Sequence, residues 1–263
     1  EQARLRYSSI HNLEAWSFWV RGLARYHGYV LSREGLTTTL MAWQRAAALD
    51  PQSATIQAML GMLYYIDARF EFWNDRNSAL QKGLAHVERA LSLDADCADA
   101  FMVQGLLLLL ELRHAEAVAA SRRSMMLGPG SADVAAFGGF VLANAGEGAE
   151  AVQVIERAIR LCPMYPPFYL GHLGFAYRVA GRVQDAIAAF EGYDRGIAGR
   201  GVTDLAIIHE QLGEMEKAKT WAAKLMSVLP NFTIGAWRKT QFRSDAEGLA
   251  ADIRSLEALG LPR

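Results

Sequence analysis

Small and hydrophobic residues recur along this chain with a period close to 34. Gly105 and Gly139 are 34 apart, as are Ala117 and Ala151, Ser124 and Ala158, and Pro129 and Pro163. The series continues with small slips: Gly174 follows Gly139 by 35, Ala186 follows Ala151 by 35, Ala218 follows Ala186 by 32, and Pro230 closes it. A period in this range is the mark of a stacked repeat, in which each unit is one supersecondary element that buries its apolar face against its neighbours. Within a unit the order is Gly, a small residue, a second small residue and then Pro. Glycine in a first helix and alanine early in a second let two antiparallel helices approach closely, and the proline stops the second helix. Gly146, Gly181 and Gly213 each stand five residues before the second-helix Ala, where a left-handed residue ends the first helix most cheaply if it is glycine. Leu112 takes that place in one unit, which weakens its turn without breaking the register.

These features resemble the tetratricopeptide repeat, whose 34-residue unit carries small residues at its eighth, twentieth and twenty-seventh positions and Pro at its thirty-second. The resemblance implies an all-α, right-handed superhelical solenoid of antiparallel helix pairs, with about six repeats and a C-terminal capping helix in one domain, 1–263. Regular units are expected at 98–129, 132–163, 167–198 and 199–230. Two irregular ones are expected at 12–51, with extra residues around Leu31–Gly35, and at 54–95, with about ten more near Ala68–Ser78. The second insertion carries Phe70, Phe72 and Trp73, which either pack on the aromatic-rich first repeat (Trp16, Trp19, Trp43) or form an exposed patch. Packing is the favoured expectation. After the last repeat, Ser244-Asp245-Ala246-Glu247 reads as a capping box opening a helix over 244–259, with Leu249, Ile253 and Leu256 on one face and Asp252, Arg254 and Glu257 between them. A solenoid end needs such a cover.

Composition narrows the partner. The chain has 263 residues, 52% hydrophobic and 21% charged, enough for a packed core and too apolar for disorder. Twenty-seven basic against 28 acidic residues give a net charge of −1, which lacks the field that non-specific nucleic-acid binding draws on. The longest apolar run, Leu106–Leu110, is far short of the ~20 residues that span a bilayer, so no membrane span is expected. No signal-peptide pattern opens the chain. Cys97 and Cys162, with no Cys-x-x-Cys pair, read as free thiols, and a cytoplasmic location is expected. The absence of an initiator Met predicts a region of a longer protein.

Catalytic patterns are few. The six histidines, at 11, 27, 86, 114, 172 and 209, form no His-Glu-x-x-His and no pair at ligand spacing near a cysteine, so no metal and no cofactor are expected. Asp94, Asp96 and Asp99 lack the Gly and distal Glu of a calcium loop and read as an inter-repeat turn and helix N-cap. Gly128-Pro129-Gly130 and Gly138-Gly139 do not follow a strand and are explained by their repeat positions. No nucleophile elbow or kinase signature is present, so no catalytic residue is expected.

Binding is expected on the groove lined by the first helices: Met62, Tyr65 and Ile66, then Met102, Leu106, Leu109 and Leu110, then Phe140 and Asn144, then Phe175 and Arg178, then Ile207, Glu210 and Gln211. The stripe is mostly apolar. It either holds a protein or peptide partner, as a helix-in-groove site would, or is core covered by a neighbouring turn, the commoner fate of such a stripe. Asn144, Arg178, Glu210 and Gln211 are its polar members; Arg178 either pairs a ligand carboxylate or makes an ordinary salt bridge. The Lys and Asn with which some repeats of this kind grip acidic tails are replaced by Met102 with Leu106 and Ala136 with Phe140.

The flanks narrow the resemblance. Asn12-Leu13-Glu14-Ala15-Trp16 through Val20-Arg21-Gly22, then Leu49-Asp50-Pro51-Gln52-Ser53-Ala54, are similar to the opening of the repeat region that follows the catalytic domain in many bacterial class III adenylate or guanylate cyclases. Pro230-Asn231-Phe232-Thr233, Phe242 and Leu256-Glu257-Ala258-Leu259-Gly260-Leu261-Pro262 resemble its tail. The resemblance implies a regulatory, protein-binding region that acts on a cyclase's activity or assembly, by groove binding or by self-association, and no catalytic residue is carried over. Two alternatives stand: a free-standing scaffold or adaptor, and the sensor region of a winged-helix transcription regulator.

Overall fold

The computed structural model describes residue 10, residues 12–28 and residues 32–263. His11 and Leu31 lie outside them. Among the described residues the chain is helical, with fourteen helices in the order α1 (Leu13–Gly28), α2 (Arg33–Leu49), α3 (Ala54–Phe70), α4 (Arg76–Leu93), α5 (Ala98–Leu110), α6 (His114–Leu127), α7 (Ala132–Asn144), α8 (Gly148–Leu161), α9 (Phe168–Val179), α10 (Val183–Gly196), α11 (Val202–Gln211), α12 (Met215–Val228), α13 (Ile234–Arg238) and α14 (Ala246–Ala258). Every repeat expected from the period contains a helix pair. The chain divides into two compact units, Glu1–Gly138 and Gly139–Arg263, with the boundary inside α7.

Four turns between paired helices repeat one geometry. The N–H groups of Arg113, Glu147, Arg182 and Glu214 donate to carbonyls five residues back, at Leu108, Leu142, Tyr177 and His209, over 2.8–3.0 Å. This bond satisfies an orphan carbonyl at the helix end and needs a left-handed residue just before the donor. Gly146, Gly181 and Gly213 supply it at φ of 93°, 73° and 75°; Leu112 supplies it at 60°, with its side chain 58% exposed. The repeat glycine in the first helix has a different task. A Cβ on Gly139 would stand 2.4 Å from the Ile155 side chain and 3.1 Å from the Ala151 carbonyl, so α7 and α8 approach as closely as they do only because that atom is missing.

The first unit absorbs its insertion as helix. Helices α3 and α4 have 17 and 18 residues where α5 and α6 have 13 and 14, so each gains about one turn. The short connection between them is organised by Asp67, fully buried, whose carboxylate accepts from the Trp73 and Asn74 backbone N–H groups and from the Asn74 amide. Trp73 packs back on the first repeat, its indole N–H donating to Thr37 Oγ1 at 2.9 Å. There Trp19 and Trp43 stack with centroids 5.1 Å apart, and Trp43 Nε1 donates to the Trp19 carbonyl. The insertion thus packs on the first repeat rather than forming an exposed patch. Asp94 is the C-cap of α4 and Asp96 pairs with Arg123, as a turn requires, but the N-cap of α5 is Cys97, with no side-chain cap bond, so no aspartate of the cluster is an N-cap. Neither cysteine is in a disulfide; burial pushes the Cys97 thiol up to about 12, so it is an inert packing residue.

In the second unit α11 and α12 close on α13 and α14 through one apolar cluster. It comprises Val202, Ile207, Ala222, Leu225, Phe232, Ile234, Leu256 and Leu261. The final helix begins one residue later than the capping-box reading places it. Asp245, not Ser244, is the N-cap, accepting from the Gly248 N–H at 2.8 Å. Ser244 is drawn away because its own N–H donates to the Asn144 carbonyl at 2.7 Å. No helix among the described residues is long and apolar enough to cross a membrane.

Candidate binding face of the second unit

The groove positions divide by burial. Met62, Tyr65, Ile66, Met102, Leu106, Leu109 and Leu110 of the first unit are at most 7% exposed, which is the covered-core alternative for that part of the stripe. Tyr65 spends its hydroxyl on Arg69, accepting at 3.3 Å. In the second unit Ile207 is fully buried in the apolar cluster; Phe140, 7% exposed, stacks on His172. Asn144 is buried and returns its amide N–H to the Phe140 carbonyl. Phe175, Arg178, Glu210 and Gln211 remain, and the structure brings these four together.

They line a cleft of about 510 Å³, with Val179 beside them and Arg243, Asp245, Gly248, Ala251, Asp252, Arg254, Ser255 and Ala258 opposite. Helices α9 and α11 present one wall; the last helix and the residues before it present the other. Gly248, Ala251, Ser255 and Ala258 share a face at helical spacing, and their small side chains leave the space open. Eight of its thirteen lining residues are polar or charged, so the cleft suits a polar or charged segment rather than the mostly apolar ligand of a typical small-molecule pocket.

Asp252 organises the cleft. The alternation along the last helix places it on the outward polar face, yet it is 2% exposed and points inward. Its Oδ1 accepts from Arg178 Nη2 at 2.8 Å and from Gln211 Nε2 at 2.9 Å, and its Oδ2 accepts from Arg243 Nη2 at 2.6 Å. Arg178 also donates through Nη1 to Asp204 at 3.3 Å. The salt-bridge alternative for Arg178 is therefore the one realised, in a buried setting rather than on a solvated face. Two cations and one amide donor make burial of this carboxylate tolerable. Burial works to raise Asp252, but the Arg178 guanidinium, with Arg243 and Gln211, outweighs it and holds the carboxyl below its usual value. Asp204 goes the other way: burial raises it, against the attraction of Arg178, and the nearby Asp252 charge adds to the rise. Arg178 itself is held above its usual value, because Asp252 and Asp204 outweigh the effect of burial.

Sequence reasoning missed Asp252, Arg243 and Asp204. Arg178 and Asp252 are 74 residues apart, and only the fold joins them. Among the described residues no cluster of His, Cys, Asp and Glu is placed to hold a metal ion.

Comparison with known proteins places the fold. No protein-family model matches the sequence, and no curated protein matches it. Solved structures do match. The Cut9–Hcn1 hetero-tetramer of the APC/C aligns over 91% of this chain and 46% of its own, at 16% identity and a TM-score of 0.64. PilW, described as a type IV pilus biogenesis factor, aligns over 84% of this chain and 96% of its own, at 18% identity and a TM-score of 0.57. TTC0263, a thermophilic TPR protein of Thermus thermophilus, aligns over 81% and 99%, at 14% identity and a TM-score of 0.53. The fold is that of a tetratricopeptide-repeat solenoid. At these identities the likeness concerns the TPR fold, which by itself assigns no partner.

Proposed function

We propose that this chain is a non-catalytic protein-interaction region that reads a protein or peptide partner at the cleft of its second unit, and that it serves as the regulatory region of a bacterial adenylate or guanylate cyclase. The observation that carries the binding part is the cleft: Phe175 and Val179 offer apolar contact, Arg254 offers donors and Glu210 an acceptor within one open volume, with Arg178 and Gln211 held by Asp252 in its wall. The cyclase part rests on the flanking segments, from Asn12 to Ala54 and from Pro230 to Pro262, that resemble the repeat region of such enzymes. In that setting the region works non-covalently. A partner bound in the cleft, or self-association, biases the arrangement of the attached catalytic domains. The test is a cyclase assay with ATP and with GTP on the longest native open reading frame containing this chain, with and without residues 1–263 and with Glu210→Lys. Activity that changes on removal, and changes in part with Glu210→Lys, is the expected result. No cyclase activity in any of the three forms refutes the cyclase reading.

A second reading, a free-standing scaffold with no enzyme attached, is favoured by one observation. PilW and TTC0263 are matched along 96% and 99% of their crystallised chains, so repeats of this fold occur as chains with little else. Finding a start codon shortly upstream of Glu1 in the native gene would support it.

A further inference from the structure

We infer that residues 243–252 form a strap across the binding face, which opens as a unit between two fixed ends and bares Arg178 and Gln211 for a carboxylate of the partner. The inference rests on the interaction reading above and names the chemistry that site takes.

The two ends of the strap are anchored by apolar burial. Phe242, immediately before it, is 3% exposed. After it, Ile253, Leu256, Leu259 and Leu261 all pack into the cluster of α11, α12 and α13. Between these anchors the character changes. Ser244, Asp245, Ala246, Glu247 and Ala250 are exposed, Gly248, Leu249 and Ala251 are half-buried, and Asp252 alone is buried. The first two turns of α14 therefore lie on α9 and α11 over an incompletely filled cleft. Polar contacts hold them there: Ser244 N–H to the Asn144 carbonyl, and Arg178 and Gln211 to Asp252.

Opening breaks these three contacts but strands no charge. The Arg243–Asp252 pair, 2.6 Å, lies wholly within the strap and travels with it. Arg178, left behind, keeps Asp204 at 3.3 Å. Breaking a buried ion pair is costly chiefly because one charge is left uncompensated, and here each charge retains a partner. The closed state also leaves one donor unmet: Arg243 Nε is buried and has no acceptor, although its side chain is 8% exposed. Opening gives that N–H to water, which recovers part of the cost of the bonds released. What remains on the face is Arg178 and Gln211, arranged around the place where a carboxylate sat, beside the apolar ring of Phe175. A partner segment carrying an aspartate or glutamate next to an aliphatic residue fits there.

Native-state hydrogen exchange on the full chain tests this. A helix that serves only as a fixed cap frays gradually from its exposed N-terminal turn, each amide better protected than the one before it. The strap predicts a step instead: amides of Leu249–Asp252, corrected for intrinsic rates, share one protection factor and exchange at least tenfold faster than those of Leu256–Leu259. Asp252→Asn speeds the first group at least a further tenfold and leaves α12 unchanged. Equal protection across α14, or a rise in Asp252→Asn that spreads evenly over the whole chain, overturns the inference. For the ligand, the probe is a labelled peptide spanning residues 244–256 added to full-length Asp252→Asn. Binding at least tenfold tighter than that of the same peptide with Asn at 252 is expected, and equal binding overturns the carboxylate assignment. Neither result depends on an attached cyclase, so failure here and failure of the cyclase reading are separable.

Discussion

Helix α5 in the first unit and helices α9 and α11 in the second stand at equivalent places in the repeat, and they use those places differently. In α5 the groove positions are Met102, Leu106, Leu109 and Leu110, all buried, and the helix is apolar nearly all round. In α9 and α11 the corresponding stretch carries Phe175, Arg178, Glu210 and Gln211, which remain at the edge of a cleft. Polar side chains in place of leucines at a few positions make one stretch of the same scaffold line an open cleft where the other is core. The difference teaches that groove position alone does not make a binding residue; what covers that position does.

The largest effects separate a core position from an ion-network position. Leu106→Ala removes a fully buried side chain and is expected to cost about 2–5 kcal/mol. Asp252→Ala leaves Arg243 buried without its carboxylate, while Arg178 keeps Asp204, and is expected to cost about 3–5 kcal/mol. The two separate in salt. Urea denaturation at rising ionic strength should narrow the gap between Asp252→Ala and wild type, because screening relieves the stranded Arg243, and leave the Leu106→Ala gap unchanged. Identical salt responses break the comparison.

A smaller effect is expected where both units rely on close helix approach. Gly139→Ala drives a methyl group against Ile155, and Gly105→Ala drives one against Ser121 Oγ, 2.6 Å from the ideal Cβ position. Overpacking of this kind costs about 1–3 kcal/mol. Both would also meet a backbone carbonyl at 3.1 Å, Ala117 at Gly105 and Ala151 at Gly139, so Gly139→Ala is expected to be the worse because the branched Ile155 gives less than a hydroxyl that rotates. Thermal unfolding of both variants decides the order.

These glycines were legible in the sequence because the repeat itself announces them: four registers agree at one spacing, and helix pairing and turn conformation follow from it. The positive φ of Gly146, Gly181 and Gly213 was readable for the same reason. The insertion near Trp73 was located, but its absorption as an added turn on α3 and on α4 was not, because the buried Asp67 that ties the short loop reads in sequence as one more polar residue. Most of the site was hidden. Arg178, Glu210 and Gln211 could be named from register, while Asp252 sat in an alternation that looks like an amphipathic cap. Periodicity says which residues share a face, not which face a terminal helix turns toward a partner 74 residues away in the chain.

Leu112 sharpens the turn side of the comparison. It holds at φ 60° the conformation that glycine holds in three sister turns, and its exposed side chain contributes little packing. A non-glycine residue in the left-handed region costs about 1–2 kcal/mol, part of which glycine returns through its greater freedom in the unfolded chain. Leu112→Gly is therefore expected to stabilise the protein by about 1 kcal/mol, measured by urea denaturation. Gly181→Leu, at the equivalent turn of the second unit, is expected to destabilise by a similar amount. If both substitutions destabilise, the turns are not equivalent.

The smallest effect distinguishes the units by pH. In the first unit His86 stacks on Tyr64 and meets Gln57 Oε1 through Nδ1 at 2.9 Å, and burial holds it below its ordinary value of 6.5. The unfolded chain then binds that proton more tightly than the folded one, so stability is present above about pH 6.5 and falls as pH drops through that range. In the second unit Asp252 is held below its ordinary value of 3.8, so the stability it contributes persists to about pH 4 and is lost only as pH falls through its lower folded value. Asp204, raised by burial, has the opposite sign: the fold favours its protonated form, and the stability linked to it is lost as pH rises. Hydrogen exchange at pH 7, 5.5 and 4, corrected for intrinsic rates, should show protection in α3 and α4 weakening between pH 7 and 5.5 while α11 and the C-terminal half of α14 hold. His86→Phe, which keeps a ring against Tyr64 and removes the proton site, should flatten the first response without moving the second; loss of protection in both units over the same pH interval would show that a shared titration, rather than these separate groups, governs the acid sensitivity.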